Sequence, residues 1–407
     1  MNDIRECLLE REYGSHQKRH IFIIVAGFYI MCCMMRDGLE IAMAAGMIFT
    51  VVALAMRFSI SSYIQPRLTL YLLWVLLFWG YFCLSAVFIT VYRIGYKSIA
   101  VYMLPVFPVA LYFSPQKNTD KLFNTFCKGC IYSTIILIGY IAVKEMNSII
   151  SGGITRIGNS ASGNVNTVAM SLCTFLIVIF YKLTFEKQRN LLPLFFLSLF
   201  FILLTGSKKG LLGILIVVLV MSLFRYKWRV YKYIIPIAIL LSIIYLINNN
   251  EYFYEIIGRR FDDFFKALKV SQENGSTGER MGMYRYSWKF FKNSPIFGNG
   301  YGYFAANTPF HTYSHSNYSE ILGSFGLIGF VLYYWYYIKV MVTAFKQLHT
   351  NPAARVFLTF MILQLFFDSA AIGFYSNALM YAMMFFAKKF LLEPRITTQL
   401  TEEGTEQ

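Results

Sequence analysis

Apolar residues in this chain come in runs of roughly 15 to 25, about the length that crosses a bilayer as a helix, and the runs recur from end to end. They fall at approximately 21–35, 39–56, 68–92, 98–113, 123–143, 165–182, 191–205, 210–224, 231–247, 319–342, 354–367 and 377–391. Inside each run the apolar positions are continuous, which fits helices; barrel strands alternate and are about half as long. The pattern therefore predicts an all-α integral membrane protein of about 12 transmembrane helices. The polar stretches between runs are short except for 248–318. Three regions follow: an N-terminal transmembrane bundle over 1–247, one large extracytoplasmic loop with short helices over 248–318, and a C-terminal transmembrane bundle with its tail over 319–407.

Composition sharpens this picture. With 57% hydrophobic and only 14% charged residues, the chain is too apolar for a soluble globule. The formal charge of +16 could suggest nucleic acid, but the basic residues are spread over many short loops and form no single basic face, so no nucleic-acid partner is expected. Most of them fall in the two tails and in every second loop, for example Arg5, Arg11, Lys18 and Arg19, then Lys182, Lys187 and Arg189, then Lys388 and Lys389. The positive-inside bias places those segments in the cytoplasm and the long loop outside. The first twenty residues are too charged for a cleaved signal, so the run from Ile21 is expected to be an uncleaved first span. Cys127 and Cys130 have redox-motif spacing, but a membrane helix entrance is the wrong context for that chemistry, and none of the seven cysteines lies in the long loop.

The spans hold few ionisable residues, and Glu320 and Asp368 sit near helix ends, which argues against a proton-coupled or sugar transporter with mid-membrane carboxylates. Polarity collects instead on the outer side. His311-Thr-Tyr-Ser-His315-Ser-Asn-Tyr-Ser-Glu320 sets two histidines, Asn317 and Glu320 against the tenth apolar run. Upstream, Arg280, Tyr284 and Trp288 lie four apart, on one face of a predicted helix that Pro295 ends; Gly298, Gly300 and Gly302 then permit tight turns. Between the seventh and eighth runs Thr205-Gly-Ser207-Lys208-Lys209-Gly210 puts two cations where the topology rule leaves few, and ammonium groups beside helix-start amides suit a phosphate. A further segment, Glu251 to Leu268, has an apolar face including Ile257 and Phe261; it fits either a helix in the outer lipid interface or one packed on the protein.

These segments resemble the O-antigen polymerase and O-antigen ligase superfamily of bacterial envelope glycosyltransferases. The likeness rests on HSNYSEILGSFGLIGF, on ERMGMYRYSWKFFKNSPIFGNGYG, on TGSKKG, and on Gly163-Asn-Val-Asn166 at the start of the sixth run, in the family's order. One departure stands out: the family's basic loop commonly has arginine after its serine, where this chain has Lys208 and Lys209. Lysine supplies charge without the bidentate fork.

The resemblance implies transfer of a glycan from an undecaprenyl-diphosphate-linked oligosaccharide to a hydroxyl acceptor on the outer face of the membrane. A chain-length regulator and a flippase are the partners it implies. The residue chemistry fits: a sugar hydroxyl is a poor nucleophile at neutral pH, and a neutral histidine that takes its proton helps by roughly 10² to 10⁴-fold. His315 is the candidate base, with Asn317 or Glu320 orienting it. Arg280, Lys208 and Lys209 are candidates to stabilise the leaving diphosphate, with Asn166, Ser207 and Tyr284 in support. The outer loops show no Asp-x-Asp or His-carboxylate cluster, so neither a metal nor another cofactor is expected. A surface-polysaccharide polymerase, whose acceptor is another lipid-linked repeat unit, is expected ahead of a ligase, whose acceptor is the lipid A core or a protein.

Overall fold

The computed structural model of the chain describes residues 69–88, 118–145, 156–158, 164–225, 231–259, 261–262, 276–375 and 377–395. The described residues are helical throughout their regular parts. In chain order the longer helices are α1 (Leu70–Phe88), α2 (Asp120–Lys144), α3 (Val165–Phe185), α4 (Leu192–Leu204), α5 (Lys208–Arg225), α6 (Tyr231–Asn249), α7 (Ser276–Asn293), α8 (Asn317–Lys346), α9 (Pro352–Asp368) and α10 (Ala378–Ala387). All but α7 coincide with a predicted apolar run, and α7 is the predicted arginine-bearing helix of the long polar segment. The runs predicted at 21–35, 39–56 and 98–113 lie outside the described residues. By length and composition α2, α3 and α8 are each sufficient to cross a membrane.

Side-chain caps start several of these helices. Thr119 accepts a hydrogen bond from Leu122 N at α2, Asn164 from Asn166 N at α3, Asn351 from Ala353 N at α9 and Asn377 from Met380 N at α10. Each cap satisfies a backbone donor that the first turn leaves without a partner. At α9 Pro352 follows the cap at the first helical position, where its missing N–H costs nothing.

The core is an aromatic seam along α8. Trp74, Phe78 and Phe82 of α1 pack against Tyr333, Tyr336 and Phe325 of α8 and against Tyr381 of α10, with Trp74 and Tyr336 stacked at 4.9 Å. Several polar tips inside this seam are bonded: Trp74 Nε1 donates to the Tyr333 carbonyl at 2.8 Å, and the Tyr333 and Tyr337 hydroxyls meet at 2.9 Å. Buried Tyr and Trp need such partners, most of all where no water can substitute. Leu76, Leu84, Phe196, Leu241, Ile338 and Phe345 point outward and exposed, the apolar surface that a bilayer would cover.

α8 is broken once. Gly326 has φ 62° and ψ −162°, outside helical space, and the backbone groups this frees are taken by the turn after α7. Leu327 N and Ile328 N donate to the Pro295 and Ile296 carbonyls at 2.9 and 3.2 Å, while Asn299 N and Gly300 N donate to the Gly323 and Ser324 carbonyls at 3.1 and 2.8 Å. The predicted glycine turn is real, with Gly298, Gly300 and Gly302 all at positive φ. Its partner, a second break inside an apolar run, was not predicted. The break holds α7 against α8 and thereby fixes where Arg280 and Tyr284 stand.

Candidate active site

His315 sits one residue before the cap of α8 with φ 58°, in the left-handed region. That conformation is uncommon for a non-glycine residue, and histidine is among the few side chains enriched there. What holds it is Glu320: its buried carboxylate accepts from Ser314 N at 2.8 Å and from Ser324 Oγ at 3.5 Å. Asn317 is equally occupied, its Nδ2 donating to the Tyr334 hydroxyl at 3.0 Å and its Oδ1 accepting from Gly373 N and Phe374 N at 3.0 and 3.1 Å. Both residues shape the backbone around His315, and the hydrogen bonds they make run to Ser314, Ser324, Tyr334 and the 373–374 backbone. The imidazole itself meets the Tyr313 ring edge-on, at 4.6 Å between centroids.

The basic loop is braced from several sides. Gly206 has φ 57°, and a Cβ there would lie 2.4 Å from Ile256 Cγ2, so only glycine fits the turn. Ser207 Oγ donates to Asn166 Oδ1 at 2.8 Å and accepts from Gly210 N at 3.3 Å, which joins the start of α3 to the start of α5. Lys208 Nζ lies over the Phe261 ring at 5.7 Å from its centroid, while Lys209 Nζ donates to the Ala370 carbonyl. The Glu251-to-Leu268 segment, as far as it is described, packs on the protein: Ile256 and Ile257 are buried with Leu203, Leu211 and Ile243.

Charge ties these loops into one site. Burial, then Arg280, then Lys209 push the imidazole of His315 down from its ordinary 6.5 to about 4. A group whose protonated form is disfavoured by desolvation and by two nearby cations is neutral at neutral pH. Tyr313 is raised by burial, against an opposing pull from Arg280. The charge of Lys209 reaches His315 from the start of α5. Among the described residues no group of three or more His, Cys, Asp or Glu side chains is placed to hold a metal ion.

One segment unites the motifs that sequence reading had kept separate. Residues 368–374, from the last residue of α9 toward α10, receive the Lys209 ammonium on the Ala370 carbonyl, Asn317 N on the Ala371 carbonyl at 3.0 Å, Ser316 Oγ on the Asp368 carbonyl at 3.3 Å and the Tyr284 hydroxyl on the Ser369 carbonyl at 3.4 Å. Arg156 was also missed as a site residue; its Nε donates to the Thr205 carbonyl at 2.8 Å and supports the basic loop from outside. Its signal was a cation in a short loop that the topology rule leaves poor in them. Tyr301 and Phe304, which follow the glycine turn, are buried in packing, Tyr301 against Phe82 and Phe304 against Phe290.

No curated protein matches the chain. A family model described as O-antigen ligase matches residues 193–334, which run from α4 through the basic loop and α7 to His315 and past the break in α8. Over that stretch the chain is similar to the O-antigen polymerase and ligase superfamily, whose members are glycosyltransferase-like enzymes.

Proposed function

We propose that the protein is a surface-polysaccharide polymerase, which transfers a growing glycan from undecaprenyl diphosphate to a hydroxyl of another lipid-linked repeat unit at the outer face of the cytoplasmic membrane. The observation that carries the transferase reading is a half-buried histidine, neutral at neutral pH, on which the charges of two cations from separate helices act, Arg280 of α7 and Lys209 of α5. In the proposed step His315 removes the proton of the acceptor hydroxyl, the oxygen attacks the anomeric carbon, and the bond to the diphosphate breaks. The diphosphate leaves as an anion, so it needs charge stabilisation and no proton. Arg280 and Lys209 supply that charge, with Lys208 as a third cation of the same loop. The step is written without a metal.

A ligase that moves the glycan to the lipid A core is the second reading, favoured by the description of the matching family model. One experiment separates the two: the purified protein in lipid is given carrier-linked repeat units, with and without lipid A core. Carrier-linked dimers and longer chains formed without core support the polymerase. Product formed only on the core supports the ligase, and the absence of any new glycosidic bond in both rejects the transferase reading.

A further inference from the structure

Beside His315 and Arg280 lies a pocket of about 280 Å³ between α7 and α8, lined among others by Tyr284, Ser287, Trp288, Ser316, Tyr318 and Ser369. Its walls are aromatic and hydroxylic, and none of its lining residues carries a charge. The cations that border it stay outside the walls: Arg280 acts on Tyr284 by its charge, and Lys292 Nζ lies over the Trp288 ring at 5.8 Å from its centroid. A neutral ring with apolar faces and hydroxyl edges finds both surfaces that it needs. The volume is just below the roughly 300–1,000 Å³ that small-molecule sites occupy, room for a single ring.

The hydroxyls of the pocket are not equivalent. Ser316 Oγ donates to the Asp368 carbonyl, Ser369 Oγ to the Phe366 carbonyl at 2.7 Å, and Ser319 Oγ to the Ser316 carbonyl at 3.2 Å. Ser287 differs: its side chain is almost fully buried, at 2% exposure, and its Oγ has no hydrogen-bond partner. A serine inside a helix ordinarily bonds back to the carbonyl four residues earlier, as Ser198 does here to Leu194 at 2.7 Å. Leaving a buried hydroxyl without a partner costs free energy that a ligand hydroxyl would return.

We propose that this pocket is the acceptor subsite, that it holds the terminal sugar ring of the acceptor glycan against Tyr284 and Trp288, and that Ser287 Oγ hydrogen-bonds one hydroxyl of that ring. The assignment rests on the transferase reading. It follows from position: Ser316 in the pocket wall is the neighbour of the candidate base, and Tyr284 is one turn from Arg280, so a ring seated here presents a hydroxyl toward His315 while the diphosphate stays with the cations. Ser287 and Trp288 are then residues that set which acceptor sugar is taken.

The test uses the full-length protein in lipid, with carrier-linked repeat unit as donor and an alkyl glycoside of the repeat unit as a separate acceptor that cannot act as donor. Ser287→Ala is expected to raise the acceptor KM about 3- to 10-fold, the worth of one hydrogen bond, with kcat and the donor KM within about twofold of the wild type. Trp288→Ala is expected to raise the same constant and leave the donor's alone. Acceptor KM unchanged in both variants, or a change in the donor KM instead, overturns the assignment. A titration of tryptophan fluorescence with the free repeat-unit saccharide, with Trp288→Phe as the blank for the other four tryptophans, decides the pocket without turnover: quenching that is present in the wild type, lost in the blank and weakened in Ser287→Ala supports it, and quenching that is absent in the wild type or unchanged in the blank overturns it. Failure of the transferase reading looks different, since the wild type would then form no glycosidic bond at all.

Discussion

His311 and His315 form a matched pair for testing the base. Both have positive φ, 49° and 58°, but the charges of Arg280 and Lys209 act on His315, while His311 is exposed. His315→Ala is expected to lower kcat by roughly 10² to 10⁴-fold with donor binding little changed; His311→Ala should stay close to wild type, and the reverse result would assign the base to the wrong histidine. Arg280→Ala removes a cation from the donor side, so both donor binding and turnover should weaken. The same charges predict a pH signature. In the free enzyme burial and the two cations hold the imidazole near 4, so the acid limb of kcat/KM lies well below the ordinary 6.5. A bound diphosphate offsets those cations, so the acid limb of kcat should lie at higher pH than that of kcat/KM. Limbs in the opposite order would contradict an anion seated between Arg280 and Lys209. Stability follows the same sign: between 6.5 and about 4 the unfolded chain binds a proton that the folded site refuses, so His315 makes folding less favourable as pH falls through that window. Because the described residues around His315 include cations and, among the described residues, no carboxylate cluster is placed to hold a metal ion, turnover is expected to persist in excess chelator, and abolition with rescue by magnesium or manganese would reject the metal-free step.

The joint between α7 and α8 is the element on which the site depends, and two glycines decide it. A Cβ at Gly326 would lie 2.4 Å from the Ile296 carbonyl oxygen, and one at Gly298 would lie 2.3 Å from that of Ser324. Neither neighbour is a flexible side-chain end, and both positions need positive φ. Gly326→Ala or Gly298→Ala is therefore expected to cost about 2 kcal/mol or more, seen as a lower melting midpoint of the detergent-solubilised protein. Gly139 in α2 is the control: an added Cβ meets nothing within 4 Å, so Gly139→Ala should be neutral or gain up to about 1 kcal/mol. Equal losses at all three positions would show that the joint is not special. The same joint marks the limit of what the chain reveals in one dimension. Continuous apolar runs announced α1 to α6 and α8 to α10, and Pro295 with its following glycines announced the end of α7. Gly326 did not announce itself, because a glycine inside a long apolar run looks like any other helix position until the turn it receives is known. Likewise His315, Arg280 and Lys209 were legible as polar groups in apolar surroundings, whereas 368–374 contributes mostly backbone carbonyls, which every sequence offers equally.

At the scale of the whole molecule the described helices divide into two chemically different ends. The starts of α3, α5 and α8 and the end of α9 gather at the candidate site. The opposite ends of α3 and α8, the start of α9 and the end of α10 gather elsewhere, and there the buried cations are paired. Lys182 Nζ is held by Asn124 at 2.6 Å and Glu186 at 2.7 Å; Lys388 and Lys389 are both bonded by Glu393; Arg395 is bonded by Asp120; and Arg355 lies over Phe185 at 4.7 Å. A basic end with its buried lysines tied down, about 30 Å from the site along the 21 residues of α3, fits the cytoplasmic side of a bilayer under the positive-inside bias. The prediction is that residues around α7 face outward and the segment around Lys187 faces the cytoplasm. In a variant without its native cysteines, Ser276→Cys should react with a membrane-impermeant thiol reagent in intact spheroplasts, while Lys187→Cys should react only after permeabilisation. The inverse pattern would put the candidate site in the cytoplasm. A glycan presented on a carrier in the outer leaflet could not reach it there, so the topology and the proposed reaction stand or fall together.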